Sequence, residues 1–391
     1  MTASKRLGLL VVPILFAVFP LLSLFAQNQT EVELRVLWWP LALSVLAGLG
    51  AFGLALLAYR HAAKAAVLAS LLMIAFFYYG AVAGWGPAGW WYVVLWAVIS
   101  VVVVVALART TRDLWSVTVV LAVAPVVLFA GPAIRIVGYQ VQHPLLSATD
   151  PRIWSRPLAG PPARDRSGLP DIYVLVPDDY ARADVLRRYF HYTDMTFLDA
   201  LRRRGFAVAP DERSPYSDSE SNIAAEVNMD YLIGLPKILS LKSQDVRPLR
   251  RLIADNRAAR LLEPLGYRYV HLDTDEVTFP AGNPDISSAA VPDSLENLWL
   301  QKTVLRVFGG PIGFDRSATD RRFRDSVHTG FSRLREVTKE PGPKFVLFHT
   351  LLPHDPYVFG PPASRSTSRT PRTRPSGRRS ECRTSCASSN T

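Results

Sequence analysis

Cysteine is almost absent: the 391-residue chain has two, Cys382 and Cys386, both close to its C-terminal end. Nothing upstream of them can form a disulfide or a thiolate metal site, so any folded domain must hold by packing and hydrogen bonding. Charged residues are missing from long stretches of the first third. Acids are outnumbered, with 33 Asp and Glu against 44 Lys and Arg and a formal net charge of +11. After Gly360, however, seven arginines face a single acid, Glu381; that tail carries +6 and leaves +5 for the rest. The basic balance is mostly a property of the tail and gives weak ground for a nucleic-acid partner, so none is expected.

Long apolar runs are present in their place. Five are long enough to cross a bilayer as helices, at about Leu7–Phe25, Val36–Tyr59, Ala65–Val82, Trp90–Ala108 and Leu114–Ala130. The first, behind Lys5 and Arg6, would alone suit a signal peptide; four more such runs point to an integral bundle over residues 1–135. Lys5 and Arg6, Arg60 and Lys64, and Arg109 and Arg112 fall in loops on one side, which places the N-terminus inside. An odd number of spans then puts the rest of the chain outside, so the expected location is the cell membrane with an extracytoplasmic C-terminal domain. Trp38, Trp39, Trp85, Trp90 and Trp91 stand near span ends, as interfacial aromatics do. No span carries a charge at its middle, so the bundle reads as an anchor or a lipid-facing platform rather than an ion path.

Residues 136–170 are rich in Pro and Arg and read as an extended linker, with Arg152, Arg156, Arg164 and Arg166 either against lipid head groups or simply solvated. A soluble α/β domain is expected over residues 171–360. Ile172–Val176 is a short apolar run, the pattern of a strand buried on both faces, and it ends at Pro177, Asp178 and Asp179. Ligands in open α/β sheets bind beyond the carboxyl ends of strands, which marks these two acids. Helices are expected over Ala181–Tyr189, over Thr196–Arg204 and from about Asn222; strands over Phe206–Ala209, Gly266–Leu272 and Lys344–His349; and a long charged helix over Asp320–Glu340. Ser217, Ser219 and Ser221 lie in a polar loop ahead of a helix, where a hydroxyl serves either as a cap or beside N–H groups that favour an anion. His349 and His354 flank the end of the last strand, two of only seven histidines in the chain, and one of them is expected to meet substrate or metal.

Four segments, IYVLVPDDYARADVL, FLDALRRRGFAVA, SPYSDSESNIAAEVNMDYL and FVLFHTLLPHDPYVF, together resemble the sulfatase and alkaline-phosphatase superfamily. The nearest likeness is to membrane-anchored proteins related to lipoteichoic acid synthase, phosphoglycerol transferases that also have five spans before an extracellular catalytic domain. The resemblance covers residues 171–360. It implies an alkaline-phosphatase-like fold and a divalent metal (Mn, Zn, Mg or Ca). Asp178 would be a metal ligand, and Asp179, standing where such motifs usually have glycine, a second one. Ser219 would be both nucleophile and metal ligand, His354 would act at the leaving group, and His349 would contact substrate. The implied substrate is a phospholipid, glycan or other phosphate or sulfate ester at the bilayer surface. The C/S-x-P-x-R context of formylglycine formation is absent around Ser219, which favours phosphoryl transfer over sulfate-ester hydrolysis.

The Asp-His-Gly segment that completes the second half of the metal site in such proteins has no counterpart here. Residues 361–391 hold no histidine, no aspartate and no apolar run. They read either as a truncated or frame-shifted end or as a disordered basic tail. The catalytic domain is therefore expected to be incomplete. The alternative to an enzyme is an inactive or truncated membrane protein with a scaffold or receptor-like role.

Overall fold

A computed structural model describes residues 3–80, 90–112, 114–143, 146–158, 160, 168–240, 242–274, 286–288, 294–308, 316–355 and 357–360. The end of the third expected span, Arg164, Arg166 and the tail 361–391 lie outside the described residues.

The N-terminal region is helical, and four helices are long and apolar enough to cross a membrane: α1 (Ala3–Asn28), α2 (Trp38–Tyr59), α4 (Trp90–Arg109) and α5 (Trp115–Gln142). The expected third span is a shorter apolar helix, α3 (Ala62–Phe77), of 16 residues. At 1.5 Å per residue it extends about 24 Å, so its described part falls short of a full crossing. It is also the most enclosed of these helices, with Ala65, Ala66, Val67 and Ala69 all buried. Helices α1 and α2 approach closely at Gly48, where an added Cβ would stand 2.9 Å from the Ile14 Cα. Small residues permit this kind of contact between apolar helices. Lys64 Nζ donates to the Thr110 carbonyl at 2.9 Å, which brings two of the basic loops to one end of the bundle.

The last helix does not stop near Ala130. It runs on to Gln142 through Pro125 and Pro132, into the region read as linker. Beyond it the chain folds onto the C-terminal α/β region: Leu146, Ala148 and Ile153 are buried in its main core, and the Gly234 N–H donates to the Ile153 carbonyl at 3.1 Å. Arg152 pairs with Asp150 at 2.6 Å.

The C-terminal region is built on a parallel four-stranded sheet in the order β1-β4-β2-β3, with β1 Ile172–Pro177, β2 Arg268–Asp273, β3 Ile286–Ser288 and β4 Lys344–Thr350. Alternation sorts the side chains onto two faces. Ile172, Val174, Val176, Tyr269, Phe345 and Leu347 face the main core with α8 (Ser219–Asn228), α10 (Arg247–Ala254) and α11 (Arg257–Leu262). Tyr173, Val270, Leu272, Val346 and Phe348 face the helix that ends at Val337. Burial of each such Val, Leu or Phe contributes about 1.5–3 kcal/mol. β4 is buried along its whole length, as its apolar run requires.

β1 differs from expectation. It pairs only with β4 among the described residues, and Leu175 is left exposed on the face that its neighbours cover. Residues 206–209 form no strand: the Phe206 N–H bonds back to the Leu201 carbonyl at 3.1 Å, across Gly205 at φ 86°, and closes the helix α7 (Thr196–Arg203). That local closure uses the N–H a strand ladder would need.

The two regions meet along α10. The Val246 N–H donates to the Thr30 carbonyl at 3.0 Å, Arg251 pairs with Glu33 at 2.8 Å, and the Arg247 guanidinium sits 4.8 Å from the Tyr139 ring centre. Helices α1 and α5 thus bring their C-terminal ends to the same side, facing the α/β region. There α12 (Ser294–Lys302) lays Trp299 against Phe77 with ring centres 5.8 Å apart.

Candidate active site

The site lies at the carboxyl ends of β1 and β4. The Asp178 N–H donates to the Thr350 carbonyl at 2.9 Å and locks the end of one strand to the other. The chain then turns sharply, with Asp179 at φ 60°. This left-handed conformation strains a side-chain-bearing residue, and Asp is among the few that adopt it with little strain. It is also the position where the resembled motif carries glycine.

Helix α8 begins at Ser219, three residues earlier than the apolar pattern suggests. Its cap is Asp218, whose Oδ1 accepts from the Ser221 N–H at 2.7 Å. With the capping role taken by an aspartate, Ser219 stands in the first turn with its hydroxyl committed elsewhere: Oγ donates to Asp178 Oδ1 at 2.6 Å. Asn222 clamps the preceding loop through the carbonyls of Tyr216 at 2.9 Å and Asp218 at 2.7 Å. A cleft of about 430 Å³ opens here, walled by Pro177–Tyr180, Ser217–Ser219, Asn222 and Glu226.

His354 joins from the loop after β4, with Nε2 3.6 Å from Asp179 Oδ2. Its imidazole is raised above its ordinary pKa. The Asp355 carbonyl, which accepts from Nδ1, is the main cause; partial burial opposes it, and the carboxylates of Asp179, Asp355 and Asp178 add to it. The raised value favours the protonated, proton-donating form.

Four of the residues singled out from sequence, Asp178, Asp179, Ser219 and His354, are therefore brought together. His349 is placed differently. It is buried on β4 beside Asp273 of β2, with Nδ1 3.3 Å from Asp273 Oδ2, and His271 Nε2 stands 3.9 Å from the same oxygen. The Thr274 N–H donates to the His349 carbonyl at 3.2 Å, and Thr274 Oγ1 accepts from the Leu351 N–H at 3.2 Å. This buried group supports the strand end from which the His354 loop departs. Sequence reading passed over Asp273, although its place at the carboxyl end of a strand was the same signal that marked Asp178. It also passed over Asn222 and Glu226, which repeat at i+3 and i+7 from Ser219 on one helix face.

As to a metal, no group of three or more His, Cys, Asp or Glu is arranged to hold an ion among the described residues. Asp178, Asp179 and Ser219 offer an all-oxygen donor set on one side of an open cleft. Such a set fits a hard divalent cation that completes its shell with water or substrate oxygens. No family model, curated protein or solved structure matches the chain.

Proposed function

We propose that this protein is a membrane-bound hydrolase or transferase that acts on a phosphodiester, or a sulfate ester, through the Ser219 hydroxyl. One observation carries the reading: Ser219 Oγ donates to Asp178 Oδ1 at 2.6 Å at the start of a helix, in an open cleft. The Asp178 carboxylate orients the hydroxyl, and the free N–H groups of the α8 first turn favour an anionic ester beside it. A divalent cation held by Asp178, Asp179 and Ser219 would lower the hydroxyl pKa and neutralise ester charge. The Ser219 proton passes to the Asp178 carboxylate as Oγ attacks phosphorus; the ester forms on Ser219, and the leaving oxygen takes the His354 proton and departs as an alcohol. Water or an acceptor alcohol, giving its proton to His354, then displaces Ser219 from the phosphoryl group, and Asp178 returns the proton to Ser219.

The domain is proposed to lie outside the membrane. The basic loops support this, as does the shared direction of α1 and α5. With α1 crossing outward, α5 ends on the same side only if an odd number of segments crosses, so α3 counts as the fifth crossing segment in this reading.

The test is hydrolysis of a chromogenic phosphodiester by the full chain in detergent, with Mn²⁺, Zn²⁺, Mg²⁺ or Ca²⁺. Turnover that falls about 10³-fold or more in Ser219→Ala supports the reading. Turnover unchanged in that variant sinks the nucleophile, and no turnover with any metal favours a non-catalytic scaffold.

A further inference from the structure

A second cavity, of about 510 Å³, lies between the segment that follows α5 and the short helix α11. Trp154, Ser155, Arg156, Leu158, Arg257 and Arg260 line it, and none of them borders the Ser219 cleft. Arg257 is the key residue. Its side chain is only 6% exposed. Nη2 donates to the Arg156 carbonyl at 2.9 Å, Nη1 stands 3.4 Å from Asp230 Oδ2, and the guanidinium carbon is 5.1 Å from the Trp154 ring centre. Its Nε–H is buried and has no hydrogen-bond partner among the described residues. A buried donor left unsatisfied costs about 1–3 kcal/mol, a cost that an anion seated beside the guanidinium would remove.

The charges around the cavity point the same way. Asp255 is taken up by Arg260, through bonds of 2.8 and 2.7 Å. Asp230 accepts from Ser155 Oγ and from the N–H groups of Ser155 at 2.9 Å and Arg156 at 3.1 Å, besides facing Arg257. Arg260 answers Asp255, with Glu263 also near it, and Arg257 answers Asp230; the exposed Arg156 head group pairs with no carboxylate among the described residues and is left as the available cation. Guanidinium forks match phosphate oxygens, while Trp154 and Leu158 offer an apolar wall. Ala148, on the cavity's edge, is six residues past the end of α5 at Gln142, at most about 20 Å of extended chain.

We infer that this cavity binds a phosphate ester that carries an apolar group, at a site separate from the Ser219 cleft. The shared chemistry is a phosphate oxygen on arginine; the source is either a lipid head group at the bilayer surface or a soluble phosphate ester. The test is calorimetric titration of the full chain in a phosphate-free maltoside detergent with two probes, short-chain phosphatidylglycerol and phenyl phosphate. At least one probe should bind, and Arg156→Gln should weaken it about tenfold or more, while Ser219→Ala leaves it unchanged. Arg156 is exposed, so that variant keeps the fold; Arg257→Lys, which retains the charge without the fork, should weaken binding as well. Tighter binding of the lipid identifies a head-group site, and equal binding identifies a site for soluble esters. Failure of both probes to bind, or wild-type binding by Arg156→Gln, overturns the inference, as does binding lost in Ser219→Ala.

Discussion

Two rims of one sheet carry the same residue types and use them differently. At the β1 rim, Asp178 and Asp179 line an open cleft and His354 stands beside Asp179, whose side chain is 68% exposed. At the β2 rim, His271, Asp273 and His349 are closed off, at 2%, 6% and 8%. Both rims lie at the carboxyl ends of parallel strands, where polar groups collect. Burial separates their roles. On the open rim, a carboxylate and a hydroxyl are free to meet a ligand; on the closed rim, Asp273 bonds one imidazole, lies 3.9 Å from the other, and the group packs beside the backbone that shapes the open rim.

The largest expected effect tests the closed rim. Asp273→Ala leaves His349 Nδ1 without its carboxylate in a buried setting and should cost about 3 kcal/mol of stability. Thermal unfolding in detergent would measure it; a loss under about 0.5 kcal/mol would mean that the buried group does not hold the sheet.

The second effect is on pH dependence. Burial pushes the His271 imidazole down to about 4 from 6.5, against the pull of the Asp273 carboxylate and with His349 adding to the push. The unfolded chain binds that proton more readily. Stability from neutral His271 is therefore complete above pH 6.5 and is lost as the pH falls toward about 4. In His271→Phe the decline over that window should be shallower, as unfolding at a series of pH values would show. An unaltered slope would remove His271 as its source.

The smallest effect separates strain from chemistry on the open rim. Asp179→Gly suits the left-handed backbone, which aspartate already adopts with little strain, and should shift stability by less than about 0.5 kcal/mol. If Asp179 is a metal ligand, the same variant should need more metal for half-maximal turnover. Unchanged metal dependence would leave Asp178 and Ser219 as the donors.

Much of this was legible in the sequence where one local pattern decides the outcome. The β4 run Lys344–His349 is apolar enough that only a central strand suits it, and the helix before Gly205 could not continue past it. Asp178 was legible because a strand end is recognisable without tertiary context; the polar loop before a helix marked Ser217, Ser219 and Ser221 alike, and only the family resemblance singled out Ser219. What escaped depended on distant partners. Leu175 looks like core in sequence, yet among the described residues no strand flanks β1 on its outer side. Residues 146–158 look like a spacer because Pro and Arg dominate them, but Leu146 and Ile153 are enough to dock the segment. The short helices α10 and α11 are too brief for a periodicity argument, and with them went Arg257 and its cavity.

The central claim is that Ser219 is the group that attacks the ester. Its most direct test is to incubate the full chain with metal and excess chromogenic phosphodiester, quench in acid, and map the modified peptide by mass spectrometry. The account predicts a phosphoryl ester on Ser219 of the SPYSDSESN segment, absent in Ser219→Ala. An ester on another residue, or turnover in Ser219→Ala at the wild-type rate, would contradict it.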